Sequence, residues 1–327
     1  MKVLLTGATG FLGRRLVQRL AREGYELRAL VRKPSAAEPL KALGVEVASG
    51  DLIDSRSVSM AISGMDVVIH AAAGTSGSPE DAAATVEGAR NVLESCRIHR
   101  VGKLIYLSSC NVYEVAGLAD GDVVSEEAQL ERFAHRRGHY TIGKLQAEAL
   151  VTEAMRTGSY PTIVLRPGTL YGPGAALYTP MIGVSLGKRV FIVFGNGQAE
   201  LPLVHVDNVV DAIVQCIASS AADNAIFNVV DQEPVTKRRY IEQLVRPLYP
   251  DALVFYLPIP ILLTATWLQE TLLALLGAHP RLTMYRVLSS QRQVRYSSAK
   301  IERTIGWRSR IGFDSGAAQI LENPPTA

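Results

Sequence analysis

The chain has 327 residues, room for one large domain or two smaller ones at roughly 150 residues each. Hydrophobic residues make up 48% and charged residues 20%, near the globular norm of roughly 45–50% and 25%, which excludes disordered, collagenous and disulfide-scaffold chains. The net charge of +3 comes from 34 basic and 31 acidic residues without long runs of either sign, so nucleic acid is not an expected partner.

The pattern opens with a strand over Val3–Leu5, a glycine-rich turn, and then Phe11, Leu12, Leu16, Val17 and Leu20 at helical spacing. Short aliphatic runs recur at Glu26–Val31, Glu46–Ala48, Asp66–Ile69, Lys103–Leu107 and Thr162–Leu165, with helix-like segments between most of them. Such alternation predicts a parallel, doubly wound α/β sheet. After Arg166 it gives way to Gly/Pro-rich loops, a helix opening at Asp207 and a late strand near Ala225–Val230. We expect a dinucleotide-binding domain over residues 1–169, with returning segments near 203–232. A smaller, mostly helical substrate lobe is expected from residues 170–202 and 233–327.

Cys96, Cys110 and Cys216 are too few and too widely spaced for a disulfide framework or a zinc site, and the six histidines show no paired spacing, so no metal is expected. The first apolar run breaks at Gly7 and lacks the charged start and long apolar middle of a signal peptide. A cytoplasmic protein is the expectation.

Gly7, Gly10 and Gly13 are spaced GxxGxxG between the first strand and first helix. Such glycines permit a tight turn and close backbone approach, and the helix N-terminus offers N–H groups to a pyrophosphate. A glycine trio alone can be only a turn; its strand–turn–helix context favours the dinucleotide. At the tip of the second strand, where an acidic residue would take the ribose of NAD, the chain reads Val31-Arg32-Lys33. Arg32 is suited to a 2′-phosphate, helped by Lys33 or Arg14, so NADP is preferred over NAD; a solvated loop cation is the alternative. Tyr140 and Lys144, four apart, share one face of a predicted helix. Lowering a phenol pKa from near 10 by ~2–3 units needs roughly 3–4 kcal/mol, and a nearby ammonium has the right sign. Such a pair also arises by chance.

Taken in order, Thr6–Gly13 (TGATGFLG), Gly50-Asp51-Leu52, His70-Ala71-Ala72-Ala73, Leu107–Tyr113 (LSSCNVY), Tyr140-x-x-x-Lys144 and Arg166–Gly174 (RPGTLYGPG) resemble the extended short-chain dehydrogenase/reductase superfamily of NAD-dependent epimerase/dehydratase type. The likeness spans nearly the whole chain and implies a Rossmann-type fold. It assigns Ser109 to position the substrate oxygen, Tyr140 as general acid/base, and Lys144 to hold the nicotinamide ribose and favour the phenolate. Cofactor contacts are implied for Gly7, Thr9, Gly10, Phe11, Leu12, Gly13, Arg32, Asp51, Leu52, Ala71, Ala72, Ala73, Pro167 and Thr169, besides Tyr140 and Lys144. Two positions depart from the family pattern. Thr85 stands where an asparagine usually helps order the site, and Gly143 replaces the usual Ser or Thr before the lysine, with room for a substrate as one consequence. The matching His205-Val206-Asp207 segment is read as structural, with Asp207 capping the next helix.

Leu257–Pro260 leading into an apolar helix, Gly277–Thr283, and Tyr296–Trp307 look like the 3β-hydroxysteroid dehydrogenase and hydroxy-lipid reductase branch. Ala252–Gln269 is 18 residues without a formal charge. Pro258 and Pro260 confine the helix to roughly 17 residues, about 26 Å, short of a hydrocarbon core near 30 Å. It is expected to close the substrate pocket, with Trp267 facing inward, and to touch a membrane surface; a plain core helix reads similarly. The implied activity interconverts a hydroxyl and a ketone on an apolar, lipid- or steroid-like substrate. The alternatives are a nucleotide-sugar epimerase or dehydratase, whose diphosphate would need cations such as Lys188, Arg189 and Arg238, and a non-catalytic NADP-binding subunit. A homodimer is compatible with the sequence.

Overall fold

A computed structural model describes residues 1–74, 76–158, 160–277 and 282–324. The strands that carry the architecture are β1 (Lys2–Thr6), β2 (Glu26–Val31), β3 (Glu46–Ser49), β4 (Val67–His70), β5 (Lys103–Leu107), β6 (Thr162–Pro167), β7 (Gly183–Leu186), β8 (Val190–Phe194), β9 (Ala225–Val229) and β10 (Leu253–Leu257). The helices used below are α1 (Phe11–Arg22), α2 (Ser55–Ile62), α3 (Pro79–Ile98), α4 (His139–Thr157), α5 (Val206–Ala218), α6 (Ile259–Leu275) and α7 (Met284–Gln291).

Seven strands form one parallel sheet in the order β9-β6-β5-β4-β1-β2-β3. The chain builds outward from β1 to β3 and then returns to β4 on the other side of β1. The reversal leaves a crevice at the carboxyl ends of β1 and β4, where open α/β sheets bind ligands. The four residues of β4 are all buried, as strands covered on both faces must be. On one face α1 buries Gly13, Leu16, Val17 and Leu20 as a single stripe, packed with Ile213, Cys216 and Trp307. The opposite face packs Leu4 and Val68 against Val58 and Ile62 of α2 and Val92 and Cys96 of α3. Trp307, from the Tyr296–Trp307 segment, donates from its indole to Asn208 O at 3.1 Å and so pins the C-terminal region to α5.

A second core gathers Phe191, Val193, Tyr240, Leu244 and Phe313. The segments around it carry more helix than strand and add a separate three-stranded sheet, in which β7 and β8 pair antiparallel and β8 and β10 parallel. The prolines set α6 as anticipated, with Pro258 at its N-cap and Pro260 in its first turn over 17 residues. Its inward side differs from expectation. Leu262 and Thr266 are its buried residues, Leu262 packing against Phe194 and Val287, whereas Trp267 and Leu268 lie more than half exposed. Among the described residues no helix is long and apolar enough to cross a membrane. Residues 278–281, within the Gly277–Thr283 motif, lie outside the described residues.

Candidate active site

Every loop implicated by the sequence leaves the carboxyl end of a strand of the parallel sheet, which brings segments distant in the chain to one edge. After β1, Gly7 adopts φ +78°, and a Cβ there would lie 2.8 Å from Ala72 N. A Cβ on Gly13 would lie 2.0 Å from Gly7 O, so glycine is required where α1 packs onto the turn. The α1 N-terminus has no side-chain cap and no acidic residue in its first turn, which leaves the positive end of the helix dipole for an external anion. Phe11 and Leu12 are half-buried, and Thr9 and Gly10 face solvent. These features fit a dinucleotide pyrophosphate.

The remaining positions expected to contact a cofactor border this turn or its neighbours along the edge. Thr6 Oγ1 sits 2.7 Å from His70 Nδ1 and accepts from Ala72 N at 3.4 Å, tying the Ala71-Ala72-Ala73 loop to β1. Thr85 Oγ1 accepts from Gly74 N at 3.0 Å and donates to Asp81 O at 2.7 Å. The threonine that replaces asparagine thus fixes the same loop to α3. Leu52 is held through its carbonyl by Asn91 Nδ2 at 2.8 Å. Arg32 projects from the tip of β2 with 71% of its side chain exposed, 3.9 Å from the Asp51 carboxylate. Pro167 ends β6, and Thr169 N donates to Pro202 O at 2.6 Å.

Tyr140 lies in the first turn of α4, where the Ser109 side chain beyond β5 acts on its phenol. Ser109 Oγ accepts from Asn111 N at 3.2 Å. One turn along α4, Lys144 Nζ donates to Leu107 O at 2.7 Å and lies 5.5 Å from the centre of the Tyr106 ring. The electrostatics differ from the simple expectation of an ammonium pulling the phenol down. Burial raises the Tyr140 pKa, opposed by the Ser109 side chain. Burial also lowers Lys144 to about 8, with Glu148 acting in the other direction. His70 is pushed down to about 3 by burial and by Lys144, hence neutral near pH 7. Among the described residues its Nε2 and the Tyr106 hydroxyl are buried without a hydrogen-bond partner.

Several further positions fall elsewhere. Gly143 does not open space for a substrate: a Cβ there would lie 3.0 Å from Ala82 Cα, so its role is close packing of α4 on α3. Asp207 does not cap α5; the N-cap is His205, whose Nδ1 accepts from Asp207 N at 3.3 Å. Arg238 stacks over Tyr256, Lys188 lies over Tyr249, and Arg189 is exposed. A buried polar chain behind the site escaped sequence reasoning. Glu148 accepts from Arg166 Nε at 3.1 Å, Arg166 Nη1 donates to Tyr113 Oη at 2.7 Å, and Tyr113 donates to Asn228 Oδ1 at 2.6 Å. The signal was available, since Glu148 follows Tyr140 and Lys144 at two successive four-residue steps on one helix face.

The family model for the NAD dependent epimerase/dehydratase family matches residues 3–229. Across 99% of the chain, 28% of residues are identical to a 4-hydroxy-2-methyl-3-oxo-4-farnesyl-3,4-dihydroquinoline-1-oxide ketoreductase from Stigmatella aurantiaca, 97% of which is covered. A 2-alkyl-3-oxoalkanoate reductase from Stenotrophomonas maltophilia is 31% identical, over 75% of this chain and 74% of that protein. A 3beta-hydroxysteroid-dehydrogenase/decarboxylase from Arabidopsis thaliana (26%, covering 98% of this chain and 79% of that protein) and a UDP-glucose 4-epimerase from Vibrio cholerae (27%, covering 98% and 94%) are also similar. The crystal structure of gox2253 shares the fold, with TM-score 0.79 at 24% identity over 99% of each chain. With its seven-stranded sheet and family match, the chain belongs to the NAD-dependent epimerase/dehydratase family of extended short-chain dehydrogenases/reductases, as an NAD(P)-dependent oxidoreductase.

Proposed function

We propose that the protein interconverts a hydroxyl and a ketone on an apolar small molecule, with Tyr140 as general acid/base, Ser109 orienting the substrate oxygen and Lys144 holding the cofactor ribose. The placement of Tyr140 where the Ser109 side chain acts on its phenol, one helical turn from Lys144 and at the sheet edge that also carries the glycine turn, supports this assignment most directly. The Asn111 N–H occupies an acceptor site of Ser109, which leaves the serine proton for Tyr140 or a substrate oxygen. Burial keeps the Tyr140 phenol protonated, the form that donates as a ketone oxygen gains charge. A nicotinamide cofactor, when bound, supplies or accepts the hydride. The substrate lobe is assigned to residues 170–202 and 233–327. An apolar substrate is favoured by the farnesylated and alkyl substrates named for the two ketone-reducing relatives.

NADP is the preferred cofactor because Arg32 is exposed at the β2 tip and can form a charge-assisted pair with a 2′-phosphate. NADPH consumption with steroid, acyl and nucleotide-sugar ketones tests the substrate class, and turnover confined to the nucleotide sugar would reject the apolar one. Tyr140→Phe should lower turnover by about 10²–10⁴-fold, the usual range for a proton donor, without weakening NADPH binding. Retained turnover would move the acid/base role to another group. Arg32→Ala should selectively weaken NADPH relative to NADH, and equal affinities in the unaltered protein would reject the NADP preference.

A further inference from the structure

The three-stranded sheet of the second lobe is apolar on both faces. Phe191, Val193, Val254 and Tyr256 point into the second core. The registers Leu186–Val190–Leu253 and Val184–Ile192–Phe255 place those six side chains on the opposite face, where Phe255 is 53% exposed. A sheet with a solvated face ordinarily alternates apolar with polar residues, whereas near-continuous apolar strands such as β8 (VFIVF) and β10 (LVFYL) belong to sheets covered on both sides.

The apolar surface does not stop at the strands. Ile192 and Leu257 meet Ile259 and Leu263 of α6, and the outer side of that helix continues with exposed Ile261, Trp267, Leu268, Leu272 and Leu275, the last 81% exposed. A helix apolar all round is normally enclosed; here one side has protein against it. The segments that build the face, residues 182–195 and 252–275, contain three formal charges, Lys188, Arg189 and Glu270. The two cations are exposed in the turn between β7 and β8. Asp251 stands at the margin, and Glu270 is half-buried within α6 rather than on its exposed side.

We propose that this continuous face docks on an anionic phospholipid bilayer, with α6 lying in the plane of the interface beside the outer face of the β7–β8–β10 sheet, and with Lys188 and Arg189 against lipid phosphates. A bilayer supplies apolar depth and negative charge together. A second copy of the chain would present the same two cations and offer the exposed carboxylate of Asp251 only at its rim. Docking is independent of the reaction the protein catalyses, and its test needs no substrate.

The test is flotation of the full chain with vesicles of phosphatidylcholine alone and of phosphatidylcholine with phosphatidylserine. The protein should float with the anionic vesicles. The double variant Phe255→Ser/Leu268→Ser should lose at least tenfold in partitioning while keeping its melting temperature, because both positions are exposed. Lys188→Ala and Arg189→Ala should each cost about fivefold on anionic vesicles and leave any binding to phosphatidylcholine alone unchanged. Failure of the unaltered protein to float would overturn the proposal. So would light scattering that shows a dimer which the Phe255→Ser/Leu268→Ser variant converts to monomers, with no flotation by either.

Discussion

Helices α1 and α6 are both built on leucine, yet they place it differently. Leu16 and Leu20 of α1 lie at 0% exposure, while Leu272 of α6 is 59% exposed. In α1 the apolar side chains occupy one stripe, so one sheet face together with α5 covers everything that needs covering. In α6 apolar residues run round the helix, and packing toward Phe194 and Val287 covers one side. The amphipathic pattern makes α1 complete within the chain, whereas α6 and the sheet beside it leave an apolar surface that the chain does not cover.

The largest effect that sharpens this contrast should come from the polar chain behind the site. Glu148→Gln leaves the Arg166 guanidinium buried without its carboxylate, and urea unfolding should show a loss of about 3–5 kcal/mol. Glu148→Gln combined with Arg166→Met should recover part of it. No loss in the single variant would mean that the pair is not an essential buried contact. Leu16→Ala comes next at about 3 kcal/mol, read from the same urea curves, since it deletes core volume that α1 and the sheet cannot refill.

A pH experiment probes the buried imidazole. His70 sits at about 3 in the folded protein against 6.5 unfolded, so between those values the unfolded chain binds more protons and stability falls as pH falls. The loss attributable to His70 should be about 2 kcal/mol at pH 5 relative to pH 7. Urea midpoints of His70→Asn should lack this part of the slope; an unchanged slope would show that His70 does not carry it. The smallest effect belongs to the second lobe: Leu272→Ser should change stability by less than about 0.5 kcal/mol. A cost like that of Leu16→Ala would mean α6 is covered in solution.

The sequence alone determined the parallel α/β sheet, the glycine turn and the limits of α6. Each is written in local periodicity or in a residue type, glycine or proline, whose backbone restrictions act within a few positions. Sequence likeness also singled out Tyr140, Lys144 and Ser109. Tertiary structure decided what lies beside them. Whether Gly143 makes room for a ligand or for Ala82 depends on how closely α3 approaches α4, and helical spacing within α4 does not encode that distance. The cap of α5 turned on whether His205 or Asp207 reached the first free N–H, and the ion pair of Glu148 required β6 to bring Arg166 beneath α4. The exposed sheet face arose in the same way, because β8 and β10 are separated by some sixty residues, and pairing across that span is set by packing on a shared core rather than by the pattern within either strand.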